Sequence, residues 1–143
     1  MTKTTKTIRQ TTFILVPPAE VYKALTDPKT HSEFTGAKAT GQPRVRGAFT
    51  AWDGYISGKY LKLQRGKRIV QEWRTTEWPK DSPPSIVEFI FKEKKGGTVL
   101  TMVHSRVPAD QAASYRQGWI DAYWKPLKEY SKKKATAHGK SAI

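Results

Sequence analysis

Two polar side chains interrupt strand faces that are otherwise apolar, and they are the first candidates for chemistry. In the segment 68–75, Gln71 shares its parity with the apolar residues, whereas the charged residues take the other parity. In the segment 98–105, His104 shares the parity of the apolar residues in the same way. Side chains alternate between the two faces of a strand, so both groups are predicted to point into the interior. An inward imidazole suits general acid–base catalysis, and both groups suit the orientation of a ligand's polar end.

The residues predicted to surround them form an aromatic and aliphatic lining. The same alternation selects lining residues on four strands, and a helical spacing of three or four selects two more in the last third of the chain. Pockets for small apolar molecules have this composition, with volumes of ~300 to 1,000 Å³ and few polar groups. A tightly packed core, in which the two polar groups bond only to neighbouring protein atoms, is the alternative. The candidate ligand-binding residues are Phe49, Gln71, Trp73, Phe89, Met102, His104, Trp119 and Tyr123.

Catalysis by His104 would require a partner acid or donor. Asp53 and Glu72 are the nearest carboxylates in strand order, but Asp53 falls in a predicted turn and Glu72 has the outward parity. The sequence holds no nucleophile elbow, phosphate-binding loop or pair of inward carboxylates. We therefore name no catalytic residue and keep an enzyme that acts on a carbonyl substrate as an alternative.

Neither a metal nor another cofactor is expected. A protein metal site needs several ligands at close spacing. The chain has no cysteine, and its three histidines, His31, His104 and His138, lie far apart in the sequence.

The charge of the chain is strongly positive. Its 26 Lys and Arg residues against 12 Asp and Glu give a net charge of +14, and the stretch from Lys38 to Arg68 holds eight basic residues and one acid. Such a charge attracts polyanions. Because no nucleic-acid recognition motif accompanies it, a solvated lysine surface is the favoured interpretation. Nucleic acid is not expected as a partner, and polyanion binding stays an alternative.

Length and hydrophobicity predict one soluble domain. A chain of 143 residues that is 37% hydrophobic can bury a single core. The apolar run 13–16 is far shorter than the ~18 residues of a membrane span, so no membrane partner is expected. The lack of cysteine, and of an apolar stretch in the first ten residues, predicts a cytoplasmic location. The oligomeric state is left open.

The chain begins with one strand and two short helices. The β-branched stretch from Thr7 to Val16 predicts the strand. Pro18 suits a first helical turn and predicts a helix to Leu25, and Asp27 suits the cap of a second helix that ends near Glu33.

A meander of five strands follows, from Arg44 to Ser105. Asp53-Gly54 predicts a two-residue hairpin turn, and Gly58 marks the place where the apolar parity slips, so a bulge is expected there. The stretch from Thr76 to Pro84 holds three prolines and is predicted to be a long loop.

The last element is a long helix with an aromatic inward face. Its apolar residues recur every three or four positions from about Asp110 to Lys132, and Pro126 is expected to kink it near Ala122. The basic segment 132–143 is predicted to be a disordered tail, which leaves one domain over 1–131. The fold class is therefore α+β, with an antiparallel sheet of about six strands around the last helix.

Several short motifs in this order resemble the activator of heat-shock-protein-90 ATPase homologue family, a branch of the START-like (SRPBCC) superfamily. The resemblance covers residues 7 to 131 and rests on the order and spacing of the motifs together. One departure is Ala48, where relatives commonly carry a second glycine. The motifs are FILVPPAEVYKAL from Phe13 to Leu25, LTDP at 25–28, RGAF at 46–49, RIV at 68–70 ahead of Trp73-Arg74, GT at 97–98 before Leu100-Thr101, HS at 104–105 before Pro108, and GW at 118–119.

The resemblance implies a helix-grip fold like that of the birch-pollen allergen, in which a curved sheet grips the C-terminal helix. Relatives across the superfamily bind lipids, sterols or polyketides, and some are cyclases. We therefore expect non-covalent binding of a small apolar or amphipathic ligand between the sheet and the last helix, beneath the loop 76–84. A co-chaperone-like interaction module with a chaperone partner, a polyketide-cyclase-like enzyme and polyanion binding are the alternatives.

Overall fold

A computed structural model describes residues 4–79 and 81–142 of the chain, with side chains to Lys134. Seven antiparallel strands form one sheet in the order β1-β7-β6-β5-β4-β3-β2, and the last helix lies across one face. This arrangement confirms the helix-grip fold. The strands are β1 (Thr5–Ile14), β2 (Thr40–Gly41), β3 (Ala48–Ala51), β4 (Ile56–Gln64), β5 (Arg68–Thr75), β6 (Ser85–Lys94) and β7 (Gly97–Pro108). The helices are α1 (Pro18–Thr26), α2 (Pro28–Thr35), α3 (Ala112–Trp119) and α4 (Lys125–Ala142), with a 3₁₀ turn at Ala109–Gln111 and a π-helical segment at Ile120–Trp124. Because α3, the π-helical segment and α4 follow one another without a break, we refer to them together as the last helix.

The structure contains the predicted strands and helices, and it differs from the prediction in two details of the first hairpin. The sheet has a seventh strand, because the two-residue β2 pairs with β3. The turn after β3 spans four residues, 52–55, rather than two, and Trp52, Asp53 and Gly54 all have positive φ. The loop is longer because Asp53 is tied to Lys38: its side chain accepts a hydrogen bond from the Lys38 amide, and its own amide donates to the Lys38 carbonyl.

The predicted bulge lies three residues later than expected. The register between β4 and β5 shifts between Tyr60 and Lys62, not at Gly58. Gly58 serves a different purpose, because the carbonyl of Glu72 approaches it so closely that an added Cβ would overlap that oxygen. The glycine is therefore required by the close approach of β5.

The two short helices form as the sequence predicts. Asp27 caps α2, where its carboxylate accepts hydrogen bonds from the amide and hydroxyl of Thr30 at 3.1 and 2.7 Å. These bonds hold the pKa of Asp27 below its usual value. Gly36, with a φ of 77°, ends the helix.

A π-helical segment lies at the place where a kink was predicted, around Ala122. The Lys125 amide donates to the carbonyl of Ile120, one residue further back than in an α-helix. This wider turn directly precedes Pro126, which has no amide to donate. Across the sheet, the Gln10 side chain donates to the Arg116 carbonyl at 2.9 Å and accepts from the Trp124 indole at 2.7 Å. Gln10 of β1 thus bonds to α3 ahead of the π segment and to Trp124, the last residue of that segment.

The last helix is longer than predicted. It continues to Ala142 through the segment expected to be a disordered tail, which is rich in lysine and alanine, both strong helix formers. Within the described residues, no helix is long and apolar enough to span a membrane.

The close contact at Gly58 yields a test of the sheet. We expect Gly58→Ala to lower the free energy of unfolding by about 3 kcal/mol or more, because the new methyl group collides with a backbone carbonyl that cannot retreat. Gly118→Ala is the matched control, since nothing lies within 4 Å of its added Cβ and alanine favours a helix by about 1 kcal/mol. Urea unfolding measures both, and equal stabilities for Gly58→Ala and wild type would contradict the close approach of the Glu72 carbonyl to Gly58.

Candidate functional site

His104 lies at the centre of the interior, where hydrogen bonds join the last helix to three strands. Its side chain is fully buried. Nδ1 accepts a hydrogen bond from the indole N–H of Trp119 at 3.1 Å, so the imidazole proton belongs on Nε2. Nε2 then donates to the hydroxyl of Ser85 at 2.7 Å, and that hydroxyl donates to the carbonyl of Trp73 at 2.8 Å. Every polar atom of this chain of hydrogen bonds has a partner.

The direction of these bonds decides what His104 and Ser85 are able to do. In a nucleophilic pair, the histidine accepts the serine proton. Here the serine accepts from the histidine and gives its own proton to a backbone carbonyl. Burial also lowers the pKa of His104 to about 3, so the ring is neutral at pH 7. This geometry holds the helix against the sheet and leaves neither group free for acid–base chemistry.

Rings and aliphatic side chains fill the space around His104. The ring of Trp73 lies 4.6 Å from the imidazole, and those of Phe89 and Trp73 lie 5.8 and 6.0 Å from Trp119, centroid to centroid. Met102 is fully buried. A small internal cavity nearby has a volume of about 20 Å³, which is enough room for about one water molecule and too little for an organic ligand. The packed-core alternative therefore describes this part of the interior.

The small internal cavity is lined by polar groups as well as apolar ones. Phe49, Gln71, Phe89 and Tyr123 line it, together with His31 from α2. His31 Nε2 lies 3.1 Å from the Tyr123 hydroxyl. Burial lowers the pKa of His31 to about 4, and its Nδ1 has no partner among the described residues.

Sequence reasoning missed His31, because it considered this residue only as a metal ligand. The signal was available in the spacing of α2, where His31 lies three residues before the buried Phe34 and so shares its helical face. Among the described residues, no group of three His, Asp or Glu side chains is suited to hold a metal ion.

A larger cavity opens on the flank of the last helix. We call it the aromatic groove; its volume is about 410 Å³, and it runs between the four-residue loop after β3 and the helical stretch 114–123. Three of the predicted site residues, Trp73, Trp119 and Tyr123, line it, whereas Met102 and His104 line neither this groove nor the internal cavity. The lining residues are Trp52, Tyr55, Ile56, Trp73, Ser114, Tyr115, Gly118, Trp119, Ala122 and Tyr123.

The electrostatic character of the aromatic groove differs from that of the surface around it. None of its lining residues carries a charge, although the whole chain has a net charge of +14. At one end, the Tyr115 hydroxyl donates to Gln111 at 2.5 Å and accepts from the indole of Trp78 at 2.9 Å. Burial raises the pKa of Tyr55 to about 12, so this phenol is neutral. The groove is therefore apolar and uncharged, with few polar atoms.

The comparisons with known proteins agree with this architecture. The family model described as Activator of Hsp90 ATPase homolog 1-like protein matches residues 15–132. The chain belongs to this family. It is 34% identical over 123 residues to the human activator of 90 kDa heat shock protein ATPase homolog 1. The aligned region covers 86% of this chain and 36% of the human protein. The chain thus spans about a third of the length of the curated relatives it matches.

Solved structures show the same fold. An HSP90 activator from Plasmodium falciparum superposes with a TM-score of 0.81 at 23% identity and covers 87% of this chain and 94% of that one. The structure of Ara h 8.0201 superposes with a TM-score of 0.72 at 12% identity and covers 91% of this chain and 99% of that one.

The burial of His104 predicts a pH dependence of stability. The unfolded state binds a proton near pH 6.5, whereas the folded state does so only near pH 3. Stability therefore falls as the pH drops below about 6.5, because the unfolded state is the better proton acceptor there. Between pH 7 and pH 5, we expect the loss in free energy of unfolding for His104→Gln to be about 2 kcal/mol smaller than for wild type.

Urea unfolding at the two pH values measures this difference. Leu100→Val, a change at a fully buried position of the same strand, controls for destabilisation without a titrating group and is expected to keep the wild-type pH dependence. An unchanged pH dependence in His104→Gln would show that His104 titrates normally in the folded state.

Proposed function

We propose that this domain binds a small apolar or amphipathic molecule non-covalently in the aromatic groove. The observation that carries the proposal is an uncharged cavity of about 410 Å³ walled by Trp and Tyr rings. This volume lies within the range of ~300 to 1,000 Å³ typical of ligand pockets, and the lining has their usual composition. The site is on the flank of the helix, whereas the sequence predicted it further inside.

Gly118 supports the proposal independently. It lies in the middle of a continuous helical stretch, where glycine costs about 1 kcal/mol relative to alanine. A packing reason for this glycine is lacking among the described residues, because nothing lies within 4 Å of an added Cβ. Since Gly118 lines the aromatic groove, a side chain at this position would occupy the groove itself. Gly118 therefore keeps the groove open at a cost to the stability of the helix.

A variant that fills the aromatic groove tests the proposal. N-Phenyl-1-naphthylamine is a suitable probe, because it is uncharged and its fluorescence rises in an apolar site. We expect saturable binding to wild type and at least a tenfold weaker affinity for Gly118→Leu, whose side chain takes up the ligand's volume. Ala113→Leu adds the same side chain at an exposed position of the same helix, outside the groove, and is expected to bind like wild type.

Unfolding of all three proteins is measured in parallel, so that a folding defect is recognised. Absence of saturable binding to wild type would refute the proposal, and equal affinities of wild type and Gly118→Leu would place the probe elsewhere.

A second candidate is activation of an Hsp90-type chaperone ATPase. The family match and the 34% identity to the human activator favour it. We expect addition of the domain to raise the ATP turnover of a purified Hsp90-class chaperone at least twofold, in a saturable manner. Hen lysozyme, another small basic protein, controls for an effect of charge alone. No change in turnover at a tenfold excess of the domain, or an equal change with lysozyme, would reject this role.

A further inference from the structure

Three segments at one end of the sheet concentrate positive charge. They are 42–47, 65–67 and 92–96, where the chain passes from β2 to β3, from β4 to β5 and from β6 to β7. Because neighbouring strands are antiparallel, these three passages lie at the same end. Together they contain seven Lys and Arg residues and one acid, Glu93. All seven bases are exposed, and none of them forms an ion pair with a carboxylate among the described residues.

The connections at the opposite end of the sheet carry the opposite charge. These are the turn 52–55, the loop 76–84 and the 3₁₀ turn 109–111, which together contain four acids and one base. The charge of the connections is therefore polarised along the strands. The aromatic groove contacts the turn 52–55 and so lies towards the acidic side.

The exposed apolar side chains gather where the bases are. Five large hydrophobic residues are exposed in the part of the chain that the structure describes, by 38 to 54%. They are Phe13, Leu15, Val45, Leu61 and Ile90. We call these five residues and the seven bases of the segments 42–47, 65–67 and 92–96 the basic end.

The pairing of the strands places the apolar residues of the basic end among its bases. Phe13 and Leu15 flank Ile14, which pairs with Thr98 at the start of β7. Ile90 pairs with Arg68, the residue that follows the segment 65–67. Val45 belongs to the segment 42–47, and Leu61 lies beside it, because the Arg46 amide donates to the Tyr60 carbonyl at 2.7 Å.

The backbone holds the basic end in a fixed shape. The Phe91 amide donates to the Lys67 carbonyl at 2.9 Å, and the Tyr60 amide donates to the Gly47 carbonyl at 3.0 Å. Arg46 and Lys95 have φ values of 71° and 52°, in the left-handed region where Gly or Asn is preferred. The turns themselves give no reason for a long basic side chain at these positions, so its charge is the property that distinguishes it.

The apolar part of the basic end favours a lipid surface over other anionic partners. Single-stranded nucleic acid stacks its bases on aromatic side chains, whereas four of the five exposed apolar residues here are aliphatic. A protein partner usually meets a contiguous, tightly packed centre, whereas these five residues are spread over several strands and connections. Aliphatic side chains scattered among bases suit a bilayer surface, because each one gains free energy where head groups meet acyl chains.

We infer that the domain binds the surface of membranes rich in anionic lipids through the basic end. The bases lie against the anionic head groups, and the exposed apolar side chains enter the boundary between head groups and acyl chains. This contact is peripheral, so the short apolar runs that led sequence reasoning to expect no membrane partner do not bear on it. The inference is independent of the ligand binding proposed for the aromatic groove.

Co-sedimentation with lipid vesicles at ~0.1 M salt tests the role of the bases. We expect binding to vesicles of equimolar phosphatidylcholine and phosphatidylserine to be at least tenfold stronger than to phosphatidylcholine alone. Lys94→Glu with Lys95→Glu is expected to weaken this binding at least tenfold, because each base near an anionic surface contributes about fivefold. Lys6→Glu with Arg106→Glu changes the net charge equally at two exposed positions of the opposite end, and is expected to cost less than threefold.

A variant with unchanged charge tests the role of the apolar side chains. Leu15→Gln with Leu61→Gln is expected to weaken binding to the anionic vesicles at least fivefold, because two exposed apolar groups can no longer enter the bilayer boundary. Its binding to mixed-sequence single-stranded DNA, which depends on charge alone, is expected to equal that of wild type. All substituted positions are exposed, and urea unfolding of each variant identifies a folding defect.

Four results would overturn the inference. Wild type could bind neither kind of vesicle, or both equally. The two charge-reversal variants could lose equal affinity, in which case net charge and not the basic end attracts the vesicles. The leucine variant could bind vesicles like wild type, or wild type could prefer DNA at an equal concentration of anionic groups, and polyanion binding would then replace lipid binding. The affinity for N-phenyl-1-naphthylamine is expected to be the same in all variants, so the proposed ligand binding is judged separately.

Discussion

The structure depends on one chain of hydrogen bonds through His104. It runs from the Trp119 indole through the imidazole and the Ser85 hydroxyl to the Trp73 carbonyl, and so connects the last helix with β7, β6 and β5. Burying an imidazole is costly unless its nitrogens find partners, and both nitrogens of His104 do. These bonds consequently fix the helix at one height and one rotation on the sheet.

The position of the helix determines where free space remains. Because Trp119 is held by His104, the rings around it close the interior, and the remaining internal cavity has room for about one water molecule. The neighbouring face of the same helix, where Gly118 has no side chain, is left beside the Trp52 loop and forms the wall of the aromatic groove. A rigid interior and an open flank are therefore two results of the same constraint, and the open flank is where binding is proposed.

The sequence predicted the fold well because the alternation of strand residues carries most of that information. The parity of β5 and β7 correctly placed Gln71 and His104 inside, and Pro126 correctly marked the irregular part of the helix. The alternation shows which side of a strand faces inward, but it does not show whether the space there is filled. The groove depends on the loop at Trp52, whose length is set by hydrogen bonds to Lys38, a contact between distant residues that no local pattern reveals.

The measurement that most directly tests the locked interior is a long-range proton–nitrogen NMR spectrum of the histidine rings between pH 7 and pH 5. We expect His104 to stay neutral over this range, with its proton on Nε2, both before and after N-phenyl-1-naphthylamine is added. A proton on Nδ1, titration of His104 near pH 6.5, or a change of its tautomer on ligand binding would contradict it. Any of these results would mean that the hydrogen bonds assigned to His104 do not hold in the folded protein.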